Sequence, residues 1–340
     1  MGAKMLDIAN RAGTSIAAVS VTLNGAKSKT LGVSPATREK ILQAAEELGY
    51  RRNPLAGSLA TGRTHVIGFM LPSVEGYSDH DPFYTLVANG ITGAASARGY
   101  NVMLYTATAE NQGLRAARMI DKRIDGLVLV SPPSSSPIYE ECERQGIPVA
   151  TILGDDTATG PHIKSDDYEG GKLATNHLLK LGHVKIAHLH GRFGVSTTLP
   201  REQGYKDAMS AAGSSALSVP GDFNRNTGRE STLKLMALPE GERPTAIFAA
   251  NDLSAHGALD AIRECGLESP KDVAIVGYDD TWYSTVVQPT LCSIHMGVAD
   301  LGRRAADLLI SILEGAYIVD THPVLPVSLV IRESSGSPRV

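Results

Sequence analysis

Residues 5–23 read MLDIANRAGTSIAAVSVTL, and this stretch decides how the first part of the chain folds. The spacing of its first half predicts a short helix with apolar residues at Leu6, Ile8, Ala9 and Ala12. Gly13 follows where a tight turn needs an unhindered backbone, and Thr14 or Ser15 can cap a second helix over residues 16–24. Two short helices around a glycine turn predict a helix-turn-helix, whose second helix enters the DNA major groove. From this pattern alone, an ordinary helical hairpin remains an alternative.

A third helix is predicted to complete this head. Ser34 provides a cap, Pro35 occupies the first turn, and Gly49 ends the helix. The apolar side chains at helical spacing are Ile41, Leu42, Ala45 and Leu48. Residues 53–62 then contain small side chains and no long apolar period, which indicates a hinge between the head and the rest of the chain.

The charge of the chain is unevenly distributed. The 340 residues carry a net charge of −4, which alone argues against a nucleic-acid binder. Residues 1–63, however, contain nine Lys and Arg against four Asp and Glu, so the head carries +5 and the remainder −9. A basic head on an acidic body is expected when only the head contacts a polyanion.

The remainder alternates strand-like and helix-like segments, which predicts α/β architecture with doubly wound parallel sheets. Strands are predicted over 65–71, 101–106, 126–130, 148–153, 184–190, 245–250 and 273–277. Helices are predicted over 83–98, 113–123, 139–145, 168–181, 201–212, 227–237, 253–265 and 298–313, before an apolar run at 324–330. The predicted strands are more numerous than a single lobe of such a fold holds, so we expect two similar lobes.

Several classes of protein are disfavoured. The first strand is not followed by GxGxxG, and the chain contains neither GxxxxGK[ST] nor GxSxG, so an enzyme is not expected and no catalytic residue is assigned. The three cysteines are scattered without metal-ligand spacing, and His188 and His190 lack a third ligand, so we expect no metal and no cofactor. No apolar run could span a membrane, and no signal peptide is visible, so we expect a cytoplasmic, nucleoid-associated protein.

Several spaced motifs in this chain resemble the lactose/galactose repressor (LacI/GalR) family. They are Leu6-Asp7-Ile8-Ala9, Ala12-Gly13-Thr14-Ser15, Val19-Ser20, Leu23-Asn24, Val33-Ser34, Thr37-Arg38, Leu48-Gly49-Tyr50 and the run from Asn53 to Leu59. The resemblance implies a dimeric transcriptional repressor of a palindromic operator, with a periplasmic-binding-protein-like body that holds an effector between two lobes. It implies a DNA-binding head at 1–52, a hinge helix at 53–63 and an effector and dimerisation domain at 64–340. The expected lobes are roughly 64–165 with 295–323, and 166–294 with 324–340.

The same resemblance implies the residues that contact DNA. They are Leu6, Thr14, Ser15, Ile16, Ala17, Ala18, Ser20, Val21, Asn24, Lys27, Lys29, Tyr50, Asn53, Ala56 and Leu59. Leu59 matches the leucine that wedges between base pairs in the minor groove. Ile16, Ala17 and Val21 are smaller or less polar than in many family members, so thymine methyl contacts and DNA shape are expected to supply much of the sequence preference. Gly57 also departs from the family, where Arg is common.

Polar and aromatic residues follow the predicted strands where open α/β sheets bind ligands. The resemblance matches them to effector-binding positions: Phe83, Tyr84, Arg201, Asn251 and Asp279, with Trp282 as a further candidate wall. Aspartate accepts hydrogen bonds from hydroxyls and an aromatic face covers a pyranose, so a sugar is the expected effector. A nucleoside or purine effector, or a sugar-binding protein without a transcriptional role, is the alternative. Whether Asp155 or Asp156 reaches the cleft stays open.

Overall fold

The computed structural model describes residues 3–24, 32–51, 58, 62–71, 81–106, 120–132, 135–154 and 160–336. The chain divides into two units, Met1–His65 and Val66–Val340. None of the helices in these described ranges has the length and apolar character needed to cross a bilayer.

The described residues of the first unit contain three helices, as predicted. They are α1 (Met5–Ala12), α2 (Ile16–Asn24) and α3 (Pro35–Glu47). Gly13 has φ +62°, which is why glycine suits the turn, and Ser15 Oγ accepts a hydrogen bond from the amide of Ala18 at 3.2 Å, so Ser15 caps α2. Ser34 Oγ likewise accepts from the amide of Thr37 at the start of α3. The core of the unit consists of Ile8, Ala9, Ala18, Val19, Ile41, Ala44 and Ala45.

Three leucines expected on the apolar faces of these helices are exposed instead. Leu6 and Leu42 are each 51% exposed, and Leu48 lies beyond the last residue of α3. Leu6 precedes the buried Ile8 by two residues, which places it about 200° away around the helix. Small alanines take the buried positions because the three helices pack closely.

The described strands of the first lobe of the second unit are β1 (Val66–Leu71), β2 (Asn101–Thr106), β3 (Gly126–Val130), β4 (Val149–Ile152), β5 (His162–Ser165) and β11 (Val324–Leu325). They form a parallel sheet in the order β11-β5-β4-β3-β1-β2. Its helices are α4 (Pro82–Ala97), α5 (Pro137–Gln145) and α11 (Val298–Leu313).

The second lobe repeats this architecture with the order β12-β10-β9-β8-β6-β7, in which only the β10–β12 pair is antiparallel. Its strands are β6 (Ile186–His190), β7 (Leu217–Pro220), β8 (Ala246–Ala249), β9 (Ala274–Asp279), β10 (Cys292–His295) and β12 (Ser328–Val330). Its helices are α6 (Asp167–Lys180), α7 (Thr198–Ala211), α8 (Arg225–Met236), α9 (Asp252–Glu264) and α10 (Tyr283–Val286), followed by a 3₁₀ turn at Glu333–Ser335. The two-lobed α/β prediction is confirmed.

The seven predicted strands all occur, but three more that the described residues contain were missed. The missed strands, β5, β7 and β10, have only four residues each, and the exposed ends of β7 weaken its apolar signal. The predicted run 324–330 divides at Pro326 into β11 and β12, because proline lacks the amide that a ladder needs. Residues 324–325 therefore belong to the first lobe rather than the second.

One predicted helix is not found in the described part of the chain. Of its residues 113–123, those at 113–119 lie outside the described ranges, and residues 120–123 form coil and a turn. The other predicted helices occur with small shifts at their ends, and α11 has the predicted bounds.

Candidate effector and DNA-binding sites

Strained backbone gathers at the carboxyl ends of the strands of both lobes. Among the described residues, seven other than glycine have positive φ, and six of them end or closely follow β3, β4, β7 or β9. These six are Ser131, Leu153, Asp222, Phe223, Asp279 and Asp280. A left-handed backbone is costly for such residues and is found preferentially at ligand sites. This edge of the two sheets is therefore the candidate effector cleft.

Arg201 occupies the centre of the second lobe's side of this cleft. It is 3% exposed, and its guanidinium lies 3.6 Å from the centre of the Tyr278 ring. Its Nε donates to Asp167 Oδ1 at 2.8 Å and its Nη1 donates to the carbonyl of Ala250 at 2.5 Å. Burial alone would lower the pKa of Arg201, but the negative charges of Asp167 and Asp279 raise it above its usual value. Arg201 is thus a permanently charged group, fixed by its own protein contacts.

Close packing of α6 and α7 fixes the position of Arg201. A Cβ at Gly171 would lie 2.2 Å from the Arg201 carbonyl oxygen, and one at Gly204 would lie 2.1 Å from the Tyr168 carbonyl oxygen. Only glycine allows this approach. The two backbones therefore hold Arg201 beside Asp167 at the start of α6.

Asp279 is the carboxylate best placed to receive a ligand. It is 6% exposed, and Arg201 Nη1 lies 3.8 Å from its Oδ1, too far for a hydrogen bond. Burial raises the pKa of Asp279 well above its usual value, against the opposing charge of Arg201 and with the help of Asp252. A hydroxyl group that donates to this carboxylate would supply the hydrogen bond that Arg201 does not make.

Asn251 has a structural role that the sequence analysis did not separate from ligand binding. Its Oδ1 accepts from both the amide and the hydroxyl of Ser254, at 2.9 and 2.7 Å, and so caps α9. Its Nδ2 donates to the carbonyl of Phe223 at 3.1 Å. Because these bonds occupy the oxygen and one N–H, the side chain retains a single N–H for a ligand.

Asp252 holds the loop that follows β9. Its carboxylate accepts from the hydroxyl of Ser293 at 2.6 Å and from the amide and hydroxyl of Thr281 at 2.7 and 2.9 Å. Burial raises its pKa to about 7, although these three bonds oppose the shift. The neighbouring Asp280 accepts from Arg332 Nη2 at 2.7 Å. This network fixes the backbone that presents Asp279.

The aromatic pair of the first lobe lies at the start of α4. Asp81 caps this helix through the amide of Phe83 at 2.9 Å, and the rings of Phe83 and Tyr84 meet edge to face at 5.3 Å. Burial raises the pKa of Tyr84 above its usual range, with further contributions from the charges of Asp81 and Asp279, and Arg192 opposes the shift. Groups from both lobes thus meet around Tyr84.

Phe223 is a cleft residue that the sequence analysis missed. A Cβ at Gly191 would lie 2.0 Å from its ring, and the ring centre is 5.8 Å from the guanidinium carbon of Arg201. Its φ is +58°, which few phenylalanines adopt. It follows β7, and because that strand was not predicted, its carboxyl end was not searched for ligand groups.

Trp282 has a largely exposed side chain. It is 53% exposed, and its ring packs on Tyr283 at 4.1 Å between centres. Its described contacts include neither Arg201 nor Asp279, and its role as a wall of the cleft stays a prediction. Asp155 and Asp156 lie outside the described residues.

The two histidines of β6 are not arranged as metal ligands. His188 Nδ1 pairs with the carbonyl of Phe248 at 3.0 Å, and its ring stacks on the Phe248 ring. Burial lowers the pKa of His188 to about 3. In the part of the chain that the structure describes, no three His, Cys, Asp or Glu side chains are grouped to hold a metal ion.

The candidate DNA-binding residues of the head divide between surface and core. Ser15, Ile16 and Ala17 are exposed, with Ile16 at 48%, and Leu6 is also exposed. Partly buried positions are Thr14, Ser20, Val21 and Tyr50.

Ala18 corrects the sequence analysis, because it is 6% exposed and packs in the three-helix core. Its methyl group is buried beside Val19, so it is not available to a base. Lys27, Lys29, Asn53, Ala56, Leu59 and the side chain of Asn24 lie outside the described residues.

Both units match known families. Residues 4–53 match the model of bacterial regulatory proteins of the lacI family, and residues 175–335 match the periplasmic binding protein-like domain. The ribose operon repressor of Escherichia coli (strain K12) is 32% identical over 316 residues, which cover 91% of this chain and 92% of that protein.

Two solved structures are similar to this chain over nearly its whole length. A lac repressor dimer bound to operator and the anti-inducer ONPF has a TM-score of 0.84 and 29% identity, covering 99% of this chain and 100% of its own. A complex of the transcriptional regulator CelR with cellobiose has a TM-score of 0.73 and 28% identity, covering 98% and 99%.

Proposed function

The chain belongs to the LacI family of DNA-binding transcriptional regulators, and on that premise we propose that a neutral, polyhydroxylated small molecule, a sugar, controls its affinity for a palindromic operator. The effector binds between the two lobes at Asp279. The observation that carries this proposal is the buried Asp279 carboxylate, 3.8 Å from a guanidinium that bonds elsewhere.

The charges around Arg201 favour a neutral effector. Its positive charge faces two buried carboxylates, Asp167 and Asp279, so the cluster offers no surplus positive charge to a phosphate or carboxylate. Hydroxyl groups, in contrast, suit Asp279 as acceptor and the remaining N–H of Asn251 as donor. The rings of Phe83, Tyr84 and Phe223 supply apolar faces for a pyranose.

A nucleoside or purine is the second candidate effector. The three aromatic side chains named above would stack on a flat base as well as on a sugar ring. The cellobiose bound in the CelR structure supports a sugar by analogy.

The effector acts by linkage between the cleft and the head. We propose a homodimer in which the head at 1–52 and a hinge helix at 53–63 bind the operator, and the domain at 64–340 binds the effector. A ligand alters operator affinity only to the extent that it binds one lobe arrangement better than the other. The cleft residues are held by contacts with each other, which suits binding rather than catalysis. We also place the protein in the cytoplasm at the nucleoid.

The second helix of the head supplies the base contacts. We propose Ser15, Ile16, Ala17, Ser20 and Val21 as the groove-facing residues. The apolar side chains of Ile16, Ala17 and Val21 contact thymine methyl groups, and none of the five residues can make the bidentate bonds that read guanine.

A thermal-shift screen over neutral sugars and nucleosides tests the effector assignment. A ligand at one hundred times its Kd stabilises the folded protein by about 2.7 kcal/mol, and the matched variant Asp279→Asn should lose this shift. A ligand that stabilises the variant as well as the parent would place the site elsewhere. Stabilisation by sugar phosphates but not by neutral compounds would overturn the proposal that the effector is neutral.

A further inference from the structure

The loop between β6 and α7, residues 191–197, joins the two lobes across the cleft. Ser196, which belongs to this loop of the second lobe, donates its hydroxyl to the carbonyl oxygen of Leu153 in the first lobe at 2.5 Å. Leu153 follows β4 and has φ +51°, a left-handed backbone that leucine seldom adopts. The loop is therefore bonded to a strained point at the opposite strand end.

Internal hydrogen bonds make this loop a compact unit. The hydroxyl of Thr198 donates to the carbonyl of Arg192 at 2.7 Å. The amide of Val195 donates to the same carbonyl at 3.2 Å, and the amide of Thr198 donates to that of Val195 at 3.1 Å. Gly194 has φ +88°, which permits the reversal. These bonds brace the loop against the start of α7.

The outer side of the loop is open to solvent. Phe193 is 66% exposed and touches the ring of His190, with ring centres 4.6 Å apart. Arg192 is also exposed, and its charge acts on Tyr84 of the first lobe. The hydrogen bond from Ser196 to the Leu153 carbonyl is thus a polar contact between this loop and the first lobe.

We infer that residues 191–197 form a strap that Ser196 fastens to Leu153, and that the strap must release for a ligand to enter or leave the cleft. This inference rests on the proposed effector site for its biological meaning. The strap itself is a property of the ligand-free protein, so it can be tested without knowing the effector.

Distances between spin labels on the two lobes measure the strap directly. Labels at Glu143→Cys on α5 and Ser210→Cys on α7 occupy exposed positions of opposite lobes. The exposed Cys265 is replaced by serine, whereas Cys142 and Cys292 are buried and remain. Pulsed electron spin resonance then reports the populations of close and open lobes in the full chain without ligand.

The Ser196→Ala variant should raise the ratio of open to close lobes about fivefold, the effect expected for one hydrogen bond. Thr285→Ala is the matched control, because the Thr285 hydroxyl donates to the carbonyl of Trp282 at 2.8 Å within one lobe. This control should keep the parent distribution. Identical distributions for Ser196→Ala and the parent, or equal opening in both variants, would overturn the strap. Neither result bears on whether a sugar binds at Asp279.

Discussion

Arg201 and Asp167 form a buried ion pair, with Nε and Oδ1 2.8 Å apart and side chains only 3% and 7% exposed. The hydroxyl of Tyr278 also donates to Asp167, at 3.2 Å. Arg201 and Asp167 therefore bond to each other within the second lobe. Asp279 receives no hydrogen bond from Arg201. We propose on this basis that Asp167 serves stability and that Asp279 binds the ligand.

Replacement of Arg201 should destabilise the protein strongly. Arg201→Met leaves Asp167 buried without its cation, which costs about 3–5 kcal/mol. The matched variant Arg225→Met breaks an ion pair with Asp260 at 2.7 Å in which Arg225 is 51% exposed, and should cost about 0–1 kcal/mol. Thermal melting of the two variants measures the difference, and equal losses of stability would contradict the role of the buried pair.

Replacement of Asp279 should separate ligand binding from stability. Asp279→Asn keeps the shape of the side chain and removes a carboxylate whose pKa burial raises, so the ligand-free protein should melt no lower than the parent. Ligand affinity should fall at least about tenfold because a charge-assisted hydrogen bond is lost. Titration calorimetry checks this with Asp300→Asn, an exposed carboxylate at the start of α11, as control. Parent-like affinity in Asp279→Asn would move the ligand away from this residue.

The contribution of Asp252 to the stability of the second unit should fall as the pH rises from about 4 to about 7, whereas the lowered pKa of His188 acts in the opposite direction. Burial raises the pKa of Asp252 to about 7 and raises that of Asp279 as well. A carboxyl group whose folded-state pKa exceeds its unfolded value near 4 stabilises the fold fully below that value, and loses its contribution as the pH rises through the folded-state pKa.

Melting temperatures of the full chain at pH 5 and pH 7.5 measure this dependence. The melting temperature of the parent minus that of the Asp252→Asn variant should be smaller at pH 7.5 than at pH 5. An equal or larger difference at pH 7.5 would contradict the raised pKa of Asp252.

The hinge gives a prediction that the sequence alone supports. Leu59 lies outside the described residues, and its role as a minor-groove wedge stays a prediction. Leu59→Ala should lower operator affinity at least about tenfold and reduce DNA bending, since the wedge stabilises the kinked duplex. Leu42→Ala removes an equal side chain from a 51% exposed position of α3 and is the control. Unchanged affinity and bending would exclude the wedge.

The sequence predicts the elements better than it predicts the contacts among them. Gly13 and Ser15 specify the turn and cap of the head by local chemistry, so the helix bounds follow from nearby residues. Ala18 shows the limit: the spacing that placed it on the DNA-binding helix could not separate core from surface, because all neighbouring residues are small or apolar.

The cleft shows the same limit at longer range. The sequence places Arg201, Asn251 and Asp279 near strand ends, and the structure brings them together. It could not show that Asn251 caps α9, since a ligand-binding amide and a capping amide look alike in sequence. Phe223 was missed because β7 is a short edge strand whose burial depends on packing against β6.

Linkage between cleft and operator is the central claim, and operator affinity with and without the effector tests it most directly. The operator is selected from random DNA with the full chain, and the ligand comes from the thermal-shift screen. Fluorescence anisotropy should show a change in operator Kd of at least about fivefold on saturation with ligand, and no change in Asp279→Asn. An operator Kd that is identical with and without bound ligand in the parent chain would contradict the account.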